Sequence, residues 1–495
     1  MKKQNKRWKE YIIISFIIII GVFSFLYITG VFQSGFHLQD DHEFYSFSKE
    51  MKKNGFWETL ITGMKNDLTI RFRPLYRFLR FIGIYFLGTN WKFWYLVKML
   101  QISCALSLLY IYAREKGVNV LLSIIFGLLI LVGEQSAIWW RLGPQESLGI
   151  LLVACSFITT LRLGRKDTIG RKILFVSSLI LLSLQKESFL MIVPAFFLLL
   201  LAQELQENKI NDNQKYLSIF LEFVKKHKFE IISVLTILLI EAYIIVKYVG
   251  TNSIGYAGYS NTIPLIEYFY GMINILKSKG FKYIILLVMS FSMLQIEIEK
   301  KDCDKSFGVE LLFCIYIFVT QLFLHAMGGM WERYFIPWIV SVAYFIVIMG
   351  YKILSKNPRV ILPYGGVLIL FLVQTNIMQS ARDYSEEGFN IRNCAYYIEE
   401  HSDKDAAILA VAEGYEKNMS FLLYMREEYG YTNGYHWSRD TEELDIAKVK
   451  NADIIWGYNG TVYNVMTDDV GLDLDSYNLY MTPFFEVAIK KEVSK

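Results

Sequence analysis

Charge is scarce in this sequence. Only 20% of its 495 residues are Asp, Glu, Lys or Arg, 54% are hydrophobic, and the mean hydropathy is +0.32. A soluble domain carries about 25% charged residues, so the balance excludes a disordered chain and a simple soluble enzyme. Cysteine is sparse too. The five residues, Cys104, Cys155, Cys303, Cys314 and Cys394, include no CxxC pair, so neither a disulfide framework nor a zinc site is indicated. His37, His42, His325 and His436 lack metal-ligand spacing. There is no GxGxxG and no P-loop, which leaves nucleotide binding without support.

What is present is a series of long apolar blocks, such as Tyr11–Ile20 and Ile361–Val373. A run of roughly 18 or more apolar residues can cross the hydrocarbon core of a bilayer. The pattern predicts about eleven spans, near 11–31, 91–112, 118–139, 145–161, 173–185, 188–203, 230–249, 282–296, 308–325, 334–351 and 360–379. The first follows five basic residues. It is too long for a signal-peptide core and has no small-residue cleavage site, so it reads as an uncleaved span. Alternating the loops from an inside N-terminus puts 23 Lys and Arg in 72 inside residues and 14 in 112 outside residues before the tail. Because basic loops resist translocation, this bias places the N-terminus in the cytoplasm and the C-terminus outside.

Two outside regions stand out. In residues 31–90, Phe44, Phe47 and Met51 recur at helical spacing, as do Trp57, Leu60, Ile61 and Met64. Both stretches predict amphipathic helices on the membrane surface, followed by a third over 75–88 that is too short to cross. The tail, 380–495, has a net charge of −11. Strand-like runs at 406–412 and 452–457 alternate with helix-like runs at 386–401, 415–427 and 441–451, which suggests a small α/β domain. The expected fold is thus an α-helical polytopic membrane module, 1–379, with an extracytoplasmic α/β domain, 380–495.

Polar residues beside hydrocarbon are costly and tend to be functional or paired. The adjacent carboxylates Asp40 and Asp41 follow the first span. They could act as a general base, hold a divalent cation, or simply cap the helix that starts near His42. Arg73 precedes Pro74 and Leu75; it could bind phosphate or snorkel to lipid headgroups. Arg141 and Glu146 flank a short turn after Trp139-Trp140 and could pair with each other. Lys186-Glu187 occupies a tight outside turn where Gly, Asn or Pro would be ordinary. Lys186 could neutralise a lipid phosphate or form a salt bridge in the bundle. Arg333-Tyr334, with Pro337, leads into the tenth span, where a cation at the positive end of a helix calls for a nearby anion.

Together these elements resemble the GT-C superfamily of integral-membrane glycosyltransferases that use polyprenyl-phosphate-linked sugars. The resemblance covers about 1–380 and is carried by the acidic pair Asp40-Asp41, the Arg73-Pro74-Leu75 start, the Lys186-Glu187 turn and Arg333-Tyr334 with Pro337. It implies an inverting hexosyltransferase of the cell membrane that moves a sugar from a polyprenyl-phosphate donor to a cell-envelope glycan or lipid. Asp40 would be the general base, with Asp41 positioning the acceptor or a metal. Arg333, Lys186, Arg73 and Arg141 would bind the donor phosphate, and Glu187, Tyr334 and Glu146 would support them. No cofactor is required, although the acidic pair is compatible with a divalent cation. The implied partners are the lipid-linked sugar, the acceptor and membrane lipids, and no nucleic acid. The alternatives are a lipid-linked oligosaccharide polymerase or ligase, whose long loop typically falls later in the chain, and a non-enzymatic lipid-glycan flippase.

Overall fold

The computed structural model describes residues 2–38, 40–131, 133–207, 216–249, 263–278, 305–328, 332–356, 361, 364–366, 368–369, 377–412, 414–437 and 445–494. Among the described residues, seven helices are long and apolar enough to cross a membrane: Arg7–Ile28, Trp91–Glu115, Glu146–Arg165, Glu187–Gln206, Lys228–Val249, Lys305–Leu324 and Ile336–Ser355. The chain is accordingly a multi-pass helical protein. The expected count of eleven spans is not reproduced. The stretch near 118–139 forms a shorter helix, Val120–Leu131, and then a turn, Ala137–Trp140; that near 173–185 lies in Ile169–Ser183, 15 residues long. The expected span 282–296 and most of 360–379 lie outside the described residues.

Ion pairs gather at one end of the bundle, where Arg114 holds Glu10 at 2.6 Å, Lys116 meets Glu310 at 3.0 Å and Lys226 meets Glu204 at 2.7 Å. Between the ends, the core is packed aromatic and aliphatic side chains. Tyr112, Phe157, Phe313 and Tyr344 sit ring to ring with centroids 4.7 to 6.2 Å apart.

At the other end lie three short helices, His42–Asn54, Phe56–Leu68 and Pro74–Leu87. They form where the apolar spacing predicts, and Pro74 occupies the first turn of the third, where its missing N–H costs nothing. The tail folds into a five-stranded sheet of order β2-β1-β3-β5-β4, with β1 Ile408–Ala410, β2 Gly434–His436, β3 Ile454–Tyr458, β4 Tyr477–Met481 and β5 Phe485–Lys490. β1 runs parallel to β2 and β3, whereas β5 is antiparallel to β3 and β4. Ile454 and Trp456 pack with Ile398 and Phe421 on one face; Ile455 packs with Val449 and Val462 on the other. This period of two marks a sheet covered on both sides.

The helix Ile377–His401 runs through the boundary expected at residue 380 and joins the two parts. It passes so close to the turn after the first span that a Cβ on Gly388 would lie 2.5 Å from the Ser34 carbonyl oxygen. Backbone cannot yield as a side chain can, so Gly388→Ala should lower stability by ~1–3 kcal/mol. A thermal unfolding comparison checks this, and an unchanged midpoint would count against the tight docking.

Candidate active site

The turn after the first span sets the position of the acidic pair. The helix ends where Thr29 Oγ1 donates back to the Phe25 carbonyl at 2.7 Å and Gly30 takes φ 79°, a left-handed conformation that terminates helices. Ser34 Oγ and Tyr95 Oη meet at 2.7 Å, fixing the following loop to the second span. Asp40 then adopts φ 64°, and among the described residues it is the only non-glycine with positive φ. Such a residue costs of order 1 kcal/mol or more and tends to persist where function demands it.

Asp40 forms an ion pair with Arg333 Nη1. Burial alone would raise the Asp40 carboxyl, but Arg333, with Arg73 and Arg71 beyond it, holds it well below the usual range. Arg333 comes from the turn Glu332–Phe335, immediately before the helix that contains Pro337. Burial would weaken its charge; the Asp40 and Glu146 carboxylates more than offset that and keep it firmly protonated. Glu146 Oε1 lies 4.0 Å from Arg333 Nε and accepts from Lys186 Nζ at 2.6 Å. Lys186 also sits 4.6 Å above the Tyr334 ring, which stacks on His325. Burial lowers the Lys186 ammonium and Glu146 counters this in part, whereas burial pushes His325 down to about 3, leaving it neutral. Five residues read from sequence, Asp40, Glu146, Lys186, Arg333 and Tyr334, therefore meet in one charged cluster drawn from four separate stretches of chain.

Asp41 behaves differently from its neighbour. It occupies the cap position of His42–Asn54, but its side chain makes no capping bond. The capping reading is corrected: Asp41 Oδ2 instead accepts the His37 backbone N–H at 2.5 Å, because the loop folds back over it. His37 in turn bonds the Tyr384 carbonyl at 2.7 Å through Nε2. Burial pushes the Asp41 carboxyl up to about 7. Since this lies above the unfolded value of 3.8, its contribution to stability is full below about pH 4 and is lost as pH rises through 7. Asp40 and Glu43, both held low, act in the opposite sense only at more acid pH. Buried neutral His37 and His325 act in the opposite sense below pH 6.5, so the Asp41 contribution is read by difference: the unfolding temperature of the wild type minus that of Asp41→Asn should fall as pH rises from 5 to 7.5. A difference that stays constant with pH would contradict the assignment.

Arg73 does not snorkel. It is largely enclosed in a network with Asp67, whose carboxylate it grips through Nε and Nη2 at 2.8 to 3.1 Å, and with Glu43 at 3.6 Å. Arg77 bridges the same two carboxylates. This network ties the three short helices together and adds positive field at Asp40. Glu187 Oε1 accepts the Phe72 backbone N–H at 2.5 Å, anchoring the loop before Arg73 to the start of a span. Arg141 does not pair with Glu146, which is engaged by Lys186. Its guanidinium lies 4.2 Å from the Tyr384 ring centroid and 3.9 Å from Glu387, bracing the helix that enters the tail.

Two participants escape a reading by sequence. Arg71 contributes positive field at both Asp40 and Lys186, yet in sequence it is one of several basic residues in the loop. Glu416, on the tail helix Tyr415–Tyr429, is near enough to Asp40 for that charge to help raise its pKa, behind burial as the larger cause. It also lies 4.0 Å from His42 Nδ1. The tail helix rests on the first short helix, with Tyr424 against Tyr45 at a centroid distance of 5.9 Å and Ser420 Oγ 3.4 Å from His42. The tail thus supplies one wall of the site.

A buried ion pair is costly to break from one side. Lys186→Met should leave Glu146 with only the longer, 4.0 Å approach of Arg333 and destabilise the protein by up to ~3–5 kcal/mol. Lys186→Met combined with Glu146→Gln should recover much of this; equal melting temperatures for single and double variants would contradict the pairing.

No protein-family model and no curated protein matches the chain. Among solved structures, it is similar to ArnT from Cupriavidus metallidurans bound to undecaprenyl phosphate, at 10% identity and a TM-score of 0.47 over 95% of this chain and 97% of that one. It is likewise similar to the apo form of the same protein, at 11% identity and a TM-score of 0.45 over the same shares. Both similarities are distant, and the functional reading rests on the site itself.

Proposed function

We propose that the chain is an inverting membrane glycosyltransferase that moves a sugar, of hexose type, from a polyprenyl-phosphate donor to a cell-envelope glycan or lipid on the outer face. One observation carries the reading: a strained, deprotonated carboxylate, Asp40, sits against cations that can receive a phosphate, at a bundle end bordered by apolar surface helices. The charge bias of the loops supports placing this end, and the tail, outside the cell, with the N-terminus in the cytoplasm.

In this mechanism the donor phosphate draws Arg333 from Asp40 and is also met by Lys186, with Arg73, Arg71 and Arg141 adding field. Losing Arg333 raises the basicity of Asp40 at the moment it is needed. Asp40 then takes the proton of an acceptor hydroxyl as that oxygen bonds to the anomeric carbon. The bond from that carbon to the phosphate oxygen breaks on the opposite face, and its electron pair leaves with the polyprenyl phosphate. Preorganised cations stabilise the charge that develops there. A phosphate needs no proton from a general acid to leave. Asp41, largely protonated below pH 7, is suited to orient the acceptor by hydrogen bonding.

The test is stereochemical. Purified protein is incubated with polyprenyl-phosphate sugars of defined anomeric configuration, and the product linkage is read by NMR. Inversion is expected. Retention would overturn the mechanism, and binding of lipid-linked oligosaccharide without turnover of any donor would favour the polymerase or flippase reading.

A further inference from the structure

A second polar site adjoins the Asp40–Arg333 cluster without sharing a lining residue with it. A cavity of about 260 Å³ opens between the third short helix and the span Trp91–Glu115. Arg80 and Lys98 line it, only 5% and 4% exposed. Neither forms an ion pair with a carboxylate among the described residues. Lys98 Nζ donates to the carbonyls of Ile138 and Pro144 at 3.0 and 3.2 Å and to Ser147 Oγ at 2.9 Å. Arg80 Nη2 donates to the Gly143 carbonyl at 2.7 Å, and its guanidinium lies 4.1 Å from the Phe44 ring centroid. Its Nη1 is buried with no hydrogen-bond partner.

The contrast with neighbouring Arg73 and Arg77 is informative, because those two are matched to Glu43 and Asp67. Arg80 feels Glu43 and Asp41, and Lys98 feels Glu146 and Asp41, only at longer range, and two buried cations lining one cavity without a carboxylate in direct contact are costly. The cavity mouth carries Leu79, Val97 and Leu148, which are partly exposed and aliphatic. We propose that this cavity binds the anionic phosphate headgroup of a lipid, with Arg80 and Lys98 as counterions and the acyl chains leaving past Leu79, Val97 and Leu148 into the bilayer. The site stands independently of the transferase reading, since it requires binding only.

The test uses the full chain in neutral detergent and native mass spectrometry. The probes are dioctanoyl phosphatidic acid, its uncharged twin dioctanoylglycerol, and inorganic phosphate. Phosphatidic acid should be retained and dioctanoylglycerol should not. Arg80→Gln with Lys98→Met should weaken retention about tenfold or more. Arg80→Lys with Lys98→Arg keeps both charges and should stay within about threefold, which separates lost binding from lost folding. The same loss should occur in an Arg333→Gln background, isolating this cavity from the first site. Equal retention of the charged and uncharged lipids would overturn the proposal, as would unchanged retention in the charge-removing pair. Displacement of phosphatidic acid by equimolar inorganic phosphate would overturn the lipid assignment in favour of a free anion.

Discussion

Replacing Asp40 with Asn should lower transfer by ~10²–10⁴-fold, the range a positioned general base contributes, while the protein still binds its donor. Asn matches Asp in size and tolerates the left-handed backbone that Asp40 adopts at φ 64°. The substitution therefore removes the proton acceptor with little cost to the loop. Asp40→Gly is a useful companion. It relieves the backbone strain, so it should be at least as stable as Asp40→Asn and equally inactive. Activity recovered in the glycine variant would show that Asp40 serves the backbone and does no proton chemistry. Because Arg333 holds the Asp40 carboxyl low, the free enzyme should show no loss of activity from protonating this residue between pH 5 and 8. A steep rise in activity across that interval that persists in Asp41→Asn would contradict the assignment.

Arg333 carries the second large effect. Arg333→Gln should reduce kcat/KM by ~10²–10³-fold, comparable to removing one preorganised donor at a developing anion. Both donor affinity and turnover should suffer, since the guanidinium is proposed to meet the phosphate in ground and transition states alike. The side chain is part of a buried charge cluster, and its loss leaves Asp40 without its main partner and Glu146 with Lys186 alone. Arg333→Lys keeps the charge but loses the planar fork, so it should recover stability before activity. A variant whose stability falls while donor affinity and turnover per folded molecule stay unchanged would reduce Arg333 to a structural role.

Much of this arrangement was legible in the sequence for a physical reason. Charged residues next to long apolar runs are conspicuous because hydrocarbon penalises them, and Asp40, Lys186, Glu146 and Arg333 all stand out on that ground. Periodicity likewise located the first two short helices, and an apolar run too short to cross located the third; Trp57, Ile61, Tyr85 and Phe86 remain exposed on them. Partners across the fold were less accessible. Arg141 and Glu146 are near in sequence, yet one faces Glu387 in the tail and the other faces Lys186. Glu416 joins the site only through the docking of Tyr415–Tyr429 on His42–Asn54, which no local pattern encodes. The strands β2, β4 and β5 escaped notice: Gly434–His436 is only three residues long, Tyr477–Met481 carries Asn among its apolar positions, and Glu486 interrupts Phe485–Lys490. The opposite characters of Asp40 and Asp41 could not be read from their adjacency. One faces a guanidinium and the other a backbone N–H, and that difference is set by a single left-handed turn.

The most direct test of the central claim is parallel measurement of polyprenyl phosphate release and acceptor glycosylation by purified wild-type protein and Asp40→Asn, across a panel of polyprenyl-phosphate sugars. The account predicts that one donor is turned over with one polyprenyl phosphate released per sugar transferred, and that Asp40→Asn binds that donor but scarcely turns it over. Equal turnover by the two proteins, or release of neither product from any donor, would contradict it.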